Sequence, residues 1–216
     1  MKILVVGANG QIGKHLVSFI QESDGLQAKA MIRNEEQAPF FENLGAETVV
    51  VDLEQDIDSI AKAAEGVDAI VFTAGSGPHT GKDKTIMIDL DGAVKTVEAA
   101  KVAGVKRFVM ISSFDTRREA IQASPSSFAP YVAAKHYADE WLRSTNLDYT
   151  IIHPGLLTND KGTGLVKIGA EVERGEIPRE DVASVIVASL ENETTIGKEF
   201  QVVSGTKTIK EAINSI

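Results

Sequence analysis

Residues 1–20, MKILVVGANGQIGKHLVSFI, govern everything that follows. Lys2 to Val6 is a short apolar run, and three glycines follow at Gly7, Gly10 and Gly13. The spacing then becomes that of an amphipathic helix from about Gln11 to Glu22. A strand that turns on glycines straight into a helix sets bare backbone N–H groups and the positive end of a helix dipole against a phosphate. Gly7 permits the tight turn, Gly10 lets a pyrophosphate approach the backbone, and Gly13 lets helix and strand pack closely. Asn9, Gln11 and Ile12 fill the same phosphate-facing turn. The spacing is G-x-x-G-x-x-G, a variant of the basic G-x-G-x-x-G fingerprint, and its place between strand and helix is the context that motif requires.

Strand and helix continue to alternate. Leu26–Ile32 reads as a second strand ending in Arg33, about twenty residues past the last glycine. In dinucleotide folds that position meets the adenosine ribose. An acid there would favour a free 2′-hydroxyl, whereas a guanidinium pairs a phosphate and stacks on adenine, so Arg33 favours NADP(H) over NAD(H) as the cofactor. The competing reading is a solvated arginine on a turn. After a third strand, Glu47–Val51, Asp52 and Leu53 lie near the expected adenine edge, and Asp52 is equally suited to cap the next helix. Val67–Thr73 is a near-continuous apolar strand of the kind buried on both faces of a parallel sheet. It ends in Thr73, Ala74 and Gly75, small residues on which a ligand can lie. A helix from about Ile86 to Ala103, a stop at Gly104 and a strand from Lys106 to Ile111 complete five β-α units. This pattern predicts an α/β fold with a doubly wound parallel sheet, whose ligands bind beyond the carboxyl ends of the strands.

The bulk properties narrow the function. A chain of 216 residues buries a large core without disulfides or metals and is expected to form a single domain over residues 1–216. A net charge of −9 argues against nucleic acid or an anionic membrane as the main partner. There is no cysteine, which removes thiol chemistry and fits a cytoplasmic protein. With the first strand beginning at once, no signal peptide is expected, and no apolar run approaches a membrane span. His15, His79, His136 and His153 are scattered without metal-ligand spacing, so no metal is expected.

Ser112 and Ser113 close the fifth strand, and residues 114–130 read as an irregular segment, long enough to be functional. A helix then begins near Pro130 with Tyr131-Val132-Ala133-Ala134-Lys135. Tyr131 and Lys135 are four apart and share a helix face. An ammonium near a phenol favours the phenolate, so Lys135 is expected to pull the Tyr131 pKa down toward use as an acid or base. The alternative for Tyr131 is packing at the ribose edge.

GANGQIG, FVMISS, YVAAK, LRSTNLDYTIIHPG and PREDVA together resemble the short-chain dehydrogenase/reductase superfamily, over nearly the whole chain. Within it they resemble its small atypical members, NmrA-like or epimerase-like. The resemblance implies a Rossmann-type sheet with helices on both faces and a small C-terminal substrate region. It implies Ser113, Tyr131 and Lys135 as a catalytic set: Tyr131 as general acid/base, Lys135 holding the nicotinamide ribose. Ser112, Pro154 and Gly155 would border the cofactor.

The chain also departs from that pattern. Asp89 stands where many members carry Asn, and His153-Pro154-Gly155 stands where Arg-Pro-Gly is common. His153 ends the sixth strand, Tyr149–His153, either pointing toward the cofactor or shaping the loop through a hydrogen bond. Residues 156–180 are glycine-rich around an expected hairpin, Leu165–Val172, and with 114–130 they are left to contact substrate. Arg117 and Arg118 are candidates for attracting an anionic substrate. A helix over Asp181–Leu190, a strand over Lys198–Val203 and a closing helix over Lys207–Ile216 read as packing. The function expected is an NADP(H)-dependent oxidoreductase acting on a small molecule, as a monomer or homodimer. A non-catalytic NADP(H) sensor and an epimerase are the alternatives.

Overall fold

In the computed structural model, which describes residues 1–77 and 79–216, the strand Lys2–Val6 (β1) lies inside the sheet and feeds the helix Gln11–Glu22 (α1). The chain continues through β2 (Gln27–Ile32), α2 (Ala38–Glu42), β3 (Glu47–Val50), α3 (Ile57–Ala63) and β4 (Ala69–Phe72). A short helix, α4 (Lys82–Lys84), runs through a π-helical stretch, Thr85–Gly92, into α5 (Ala93–Ala103). Then come β5 (Arg107–Ile111), α6 (Arg118–Ala123), α7 (Ala129–Arg143) and β6 (Asp148–Pro154). The last part holds β7 (Leu156–Thr158), β8 (Leu165–Gly169), β9 (Glu176–Pro178), α8 (Arg179–Leu190), β10 (Lys198–Ser204), β11 (Lys207–Thr208) and α9 (Ile209–Ile213).

Among the described residues the main sheet has nine strands in the order β11-β8-β10-β6-β5-β4-β1-β2-β3. From β3 to β10 every neighbouring pair is parallel. The strand order reverses between β1 and β4, and this is where a doubly wound sheet opens a crevice for a ligand. The fold is the Rossmann-like α/β sheet that the sequence pattern predicts. Side chains of β1 alternate between two cores: Ile3 and Val5 pack with α1 and α8, while Leu4 and Val6 pack with α3, α5 and α7. Both faces are covered, which is why these strands are continuously apolar. Phe72 and Phe108 are fully buried in the second core, and each contributes roughly 2–3 kcal/mol of burial free energy.

Four expectations change. Residues 114–130 are not irregular throughout, because Arg118–Ala123 forms α6. The helix before β5 begins at Lys82, four residues before Ile86, and its polar Lys82-Asp83-Lys84 opening carries no apolar periodicity to reveal it. Leu165–Val172 is not a hairpin: β8 pairs antiparallel with β10 and β11 at the sheet edge. A Cβ at Gly205 would lie 2.4 Å from the Lys167 nitrogen, so this glycine lets the turn after β10 close onto β8. The C-terminus is a two-residue strand followed by a short helix, started by a capping box between Thr208 and Glu211.

Asp181, in the first turn of α8, is buried and holds the neighbouring loop. Its carboxylate accepts from Thr163 N (3.0 Å), Thr163 Oγ1 (3.2 Å) and Gly164 N (2.8 Å). Asp181→Ala is predicted to destabilise the protein by about 1–3 kcal/mol, since the hydrogen bonds that a buried carboxylate accepts from the loop are lost. Urea unfolding of the two proteins measures this, and a loss under about 1 kcal/mol would contradict it.

Candidate active site

The glycine turn presents an open helix N-terminus. Gly10 is the N-cap of α1, no side chain caps it, and the first turn contains no acid. The first-turn N–H groups therefore face the crevice without an internal anion, an arrangement that suits a diphosphate. Gly7 has φ +86°, and a Cβ there would fall 2.6 Å from the Ala74 backbone. A Cβ on Gly13 would fall 2.4 Å from the Gly7 carbonyl oxygen. Thr73 locks this junction by donating its hydroxyl to the Val6 carbonyl (3.1 Å). The strand ends at Gly7 and at Thr73–Gly75 thus meet at the crevice.

Along the adenosine side of such a crevice, Asn9, Gln11 and Arg33 are exposed and Ile12 is buried. The Arg33 N–H donates to Gln37 Oε1 (3.0 Å), which fixes the turn from which its side chain extends. Asp52 does not cap α3. Asp56 does, accepting from Ser59 N at 2.8 Å, while Asp52 accepts from Glu54 N at 3.0 Å. The Leu53 side chain packs into the second core, which leaves only its backbone for a ligand.

On the other side the structure groups the residues expected to do chemistry. Lys135 is 3 % exposed, and its ammonium donates to the Ile111 carbonyl (3.2 Å), lies 3.6 Å from Asp89 Oδ1 and sits 5.9 Å from the centre of the Tyr131 ring. Asp89 comes from the π-helical stretch, is fully buried, and accepts at Oδ2 from Ser76 N (3.1 Å) and Ser76 Oγ (2.6 Å). A Cβ on Gly75 would lie 3.2 Å from Asp89 Oδ1, which ties this cluster to the strand end at the crevice. The expected direction for Tyr131 is reversed. Burial raises its phenol above the ordinary 10.0, and the pull of Lys135 and Ser113 does not overcome burial together with Asp89 and Asp139. Burial works against the charged Lys135, but Tyr131, Asp89 and Asp139 outweigh it and raise its pKa.

Asp139 is fully buried one turn further along α7, accepts from Ser112 Oγ (2.6 Å) and Thr116 Oγ1 (2.8 Å), and was not anticipated. Its spacing after Tyr131 and Lys135, four residues at each step, is the signal that could have found it. The Ser112 hydroxyl is therefore turned to Asp139, while Ser113 is half-buried at the strand end. His153 shapes the loop: its Nδ1–H donates to the Ser113 carbonyl (2.6 Å), and its Nε2 lies 3.9 Å from Glu199. Burial opposes its charged form, yet Glu199, Asp139 and the Ser113 carbonyl raise its pKa above 6.5. Pro154 ends β6, and Gly155 has its own packing reason, because a Cβ there would lie 2.3 Å from the Gly175 carbonyl. Arg117 is paired with Asp115 (2.7 Å) and Glu171 (3.0 Å), so it is not an uncommitted anion site. His153, Glu199, Arg143 and Arg117 line a polar cavity of about 370 Å³ behind the Ser113 loop.

Glu199 gives this corner a pH dependence. The His153 imidazole 3.9 Å away and the Arg143 guanidinium hydrogen-bonded at 2.8 Å, against the cost of burial, lower its pKa from 4.5 to about 2. A depressed carboxylate contributes stability that is present above its unfolded value and lost as pH falls through its folded one. Glu199→Gln is therefore predicted to flatten the decline in unfolding free energy between pH 4.5 and about 2. Urea titrations across that window measure the slope, and equal slopes would contradict the assignment.

This geometry has close relatives. A Bacillus subtilis (strain 168) protein named uncharacterized sugar epimerase YhfK is 46 % identical over 216 residues, covering all of both chains. A Bacillus halodurans structure with a provisional NAD-dependent epimerase/dehydratase name is 42 % identical, with a TM-score of 0.94 and full coverage of both chains. The oxidoreductase ylbE of Lactococcus lactis is 36 % identical with a TM-score of 0.90, over 100 % of this chain and 96 % of the other. Residues 7–193, from the glycine turn through α8, match the model of the NAD(P)H-binding family, and the chain belongs to that family.

Proposed function

We propose that the protein is an NADP(H)-dependent oxidoreductase acting on a small carbonyl, quinone or flavin-like acceptor, with NAD(H) as the alternative cofactor. One observation carries the reading: Tyr131 and Lys135 stand together at the end of β5, against the cluster that borders the glycine-turn crevice. The oxidoreductase name of the L. lactis neighbour agrees with it.

Gly7, Gly10 and Gly13, with the N–H groups of the first turn of α1, hold the diphosphate. Thr73, Ala74 and Gly75 line the strand end beside it, Pro154 and Gly155 border the nicotinamide, and Arg33 meets the 2′-phosphate. When bound, the nicotinamide supplies or accepts the hydride. Tyr131 protonates the acceptor oxygen, Ser113 donates a hydrogen bond to that oxygen, and Lys135 holds the ribose. Segments 114–130 and 156–180 enclose the acceptor.

The name of the B. subtilis relative favours a second reading, an epimerase that retains its cofactor. The small 156–180 region is slight for a nucleotide sugar. An NADP(H) sensor without catalysis is the remaining alternative.

NADPH oxidation against carbonyls, quinones and free flavin tests the proposal, with Tyr131→Phe alongside. Removing a general acid is expected to lower kcat by about 10²–10⁴-fold. No turnover on any acceptor, despite tight NADPH binding, would favour the sensor, and copurified oxidised cofactor would favour the epimerase. For the cofactor, Arg33→Asp is expected to weaken NADPH binding by roughly 10–100-fold more than NADH binding. Equal losses by calorimetry would falsify the role of Arg33.

A further inference from the structure

The Lys135 ammonium beside the Tyr131 phenol is matched by a buried carboxylate, Asp89. Phe128 packs on that ring, and the groups that act on its phenol are Lys135 on α7, Asp89 on the π-helical stretch, Ser113 after β5 and, two turns along α7, Asp139, whose own carboxyl burial raises above 3.8. Both carboxylates are fully buried, and Lys135 is 3 % exposed. Asp89 Oδ1 lies 3.6 Å from the ammonium and has no hydrogen-bond partner among the described residues, so its charge is answered by Lys135. Its other oxygen is fixed by the two Ser76 bonds, so the carboxylate cannot swing away. The π-helical turns that bring Asp89 inward are a rare local conformation that is frequent at functional sites.

A lone ammonium beside a phenol favours the phenolate. An ammonium already paired with a carboxylate does so far less, and the carboxylate itself repels the phenolate. We infer that Asp89 is a positioning residue that neutralises Lys135, so that Tyr131 rests as a protonated phenol at neutral pH and is set to give a proton. The inference rests on Tyr131 being the acid of the proposed reaction. In the reductive step the carbonyl carbon gains a C–H bond to the hydride of the reduced nicotinamide, and the C=O π pair moves to oxygen. That oxygen takes the Tyr131 proton, giving the alcohol and oxidised cofactor, and the phenolate regains a proton from solvent. The resting state is thus the one that a carbonyl reduction consumes. Burial, with both carboxylates, holds the phenol above its ordinary value in agreement with this.

Tyrosinate absorbance, titrated in the cofactor-free protein, tests the inference without any acceptor. The difference between wild type and Tyr131→Phe isolates one of three tyrosines. The Tyr131 midpoint is expected above 10.0 in the wild type. In Asp89→Asn, which keeps the side-chain shape, it is expected to fall by about one pH unit or more. The alkaline limb of the reductive kcat profile should fall by the same amount. An unchanged or higher midpoint in Asp89→Asn overturns the inference. A wild-type midpoint below 10.0 overturns it as well, whether or not the variant folds. A downward shift supports the role of Asp89 even in a protein that turns over no acceptor, so this inference and the oxidoreductase proposal fail separately.

Discussion

A buried ammonium must be answered by charge and by hydrogen bonds, and the answer given to Lys135 fixes α7 on the sheet. Its Nζ reaches the carbonyl of Ile111, the last residue of β5, and the carboxylate of Asp89 from the segment that follows β4. One turn down, Asp139 holds Ser112 and Thr116 on the far side of the same strand end. One turn up stands Tyr131. The helix is therefore pinned at successive turns, and its phenol is aimed by polar contacts as well as by packing. Breaking one side of a buried pair typically costs about 3–5 kcal/mol, so the helix has little freedom to slide.

The opposite wall of the crevice depends on the absence of side chains. Gly7 and Gly13 bring the turn, the Ala74 backbone and the start of α1 to separations that no Cβ permits. That contact places an uncapped helix N-terminus next to the end of β4. From there a short run through Gly75 and Ser76 reaches Asp89. The proposed diphosphate site and the proposed proton-donating site are thus joined along the ends of β1, β4 and β5 of one sheet. Neither wall would be positioned without the reversal of strand order between β1 and β4.

Much of this was legible in the sequence because it follows from local rules. The parallel strands announce themselves as apolar runs, α1 starts at Gln11 as its spacing demands, and Tyr131 and Lys135 share a helix face through simple periodicity. What was not legible depends on contacts distant in sequence. The partner of β8 is β10, more than thirty residues later, so Leu165–Val172 resembled a local hairpin. The net direction of the Tyr131 shift reflects burial and two carboxylates that only folding assembles, whereas the sequence displays only the lysine four residues away. Asp52 looked like a cap because it follows a strand, yet the chain needs one more turn and uses Asp56.

Where the polar groups are buried separates stability from function. The middle of the sheet, where Leu4, Ile70 and Phe108 meet, is apolar, as a fold selected for packing alone would be. Fully buried carboxylates appear instead at the carboxyl ends of the strands, and among the described residues Asp89 and Asp139 each leave one oxygen without a hydrogen-bond partner. Replacing buried ion pairs by apolar side chains of similar volume is often neutral or stabilising, so such groups are weak evidence for stability. A leucine in place of Asp89 would remove an unsatisfied oxygen, but it would also leave Lys135 as an uncompensated charge beside Tyr131. The unfavourable groups therefore form one set, in which Lys135 requires Asp89 and Asp89 alters what Lys135 does to the phenol. A set of that kind, confined to the strand ends where doubly wound sheets bind their ligands, is accounted for by the proposed chemistry better than by folding.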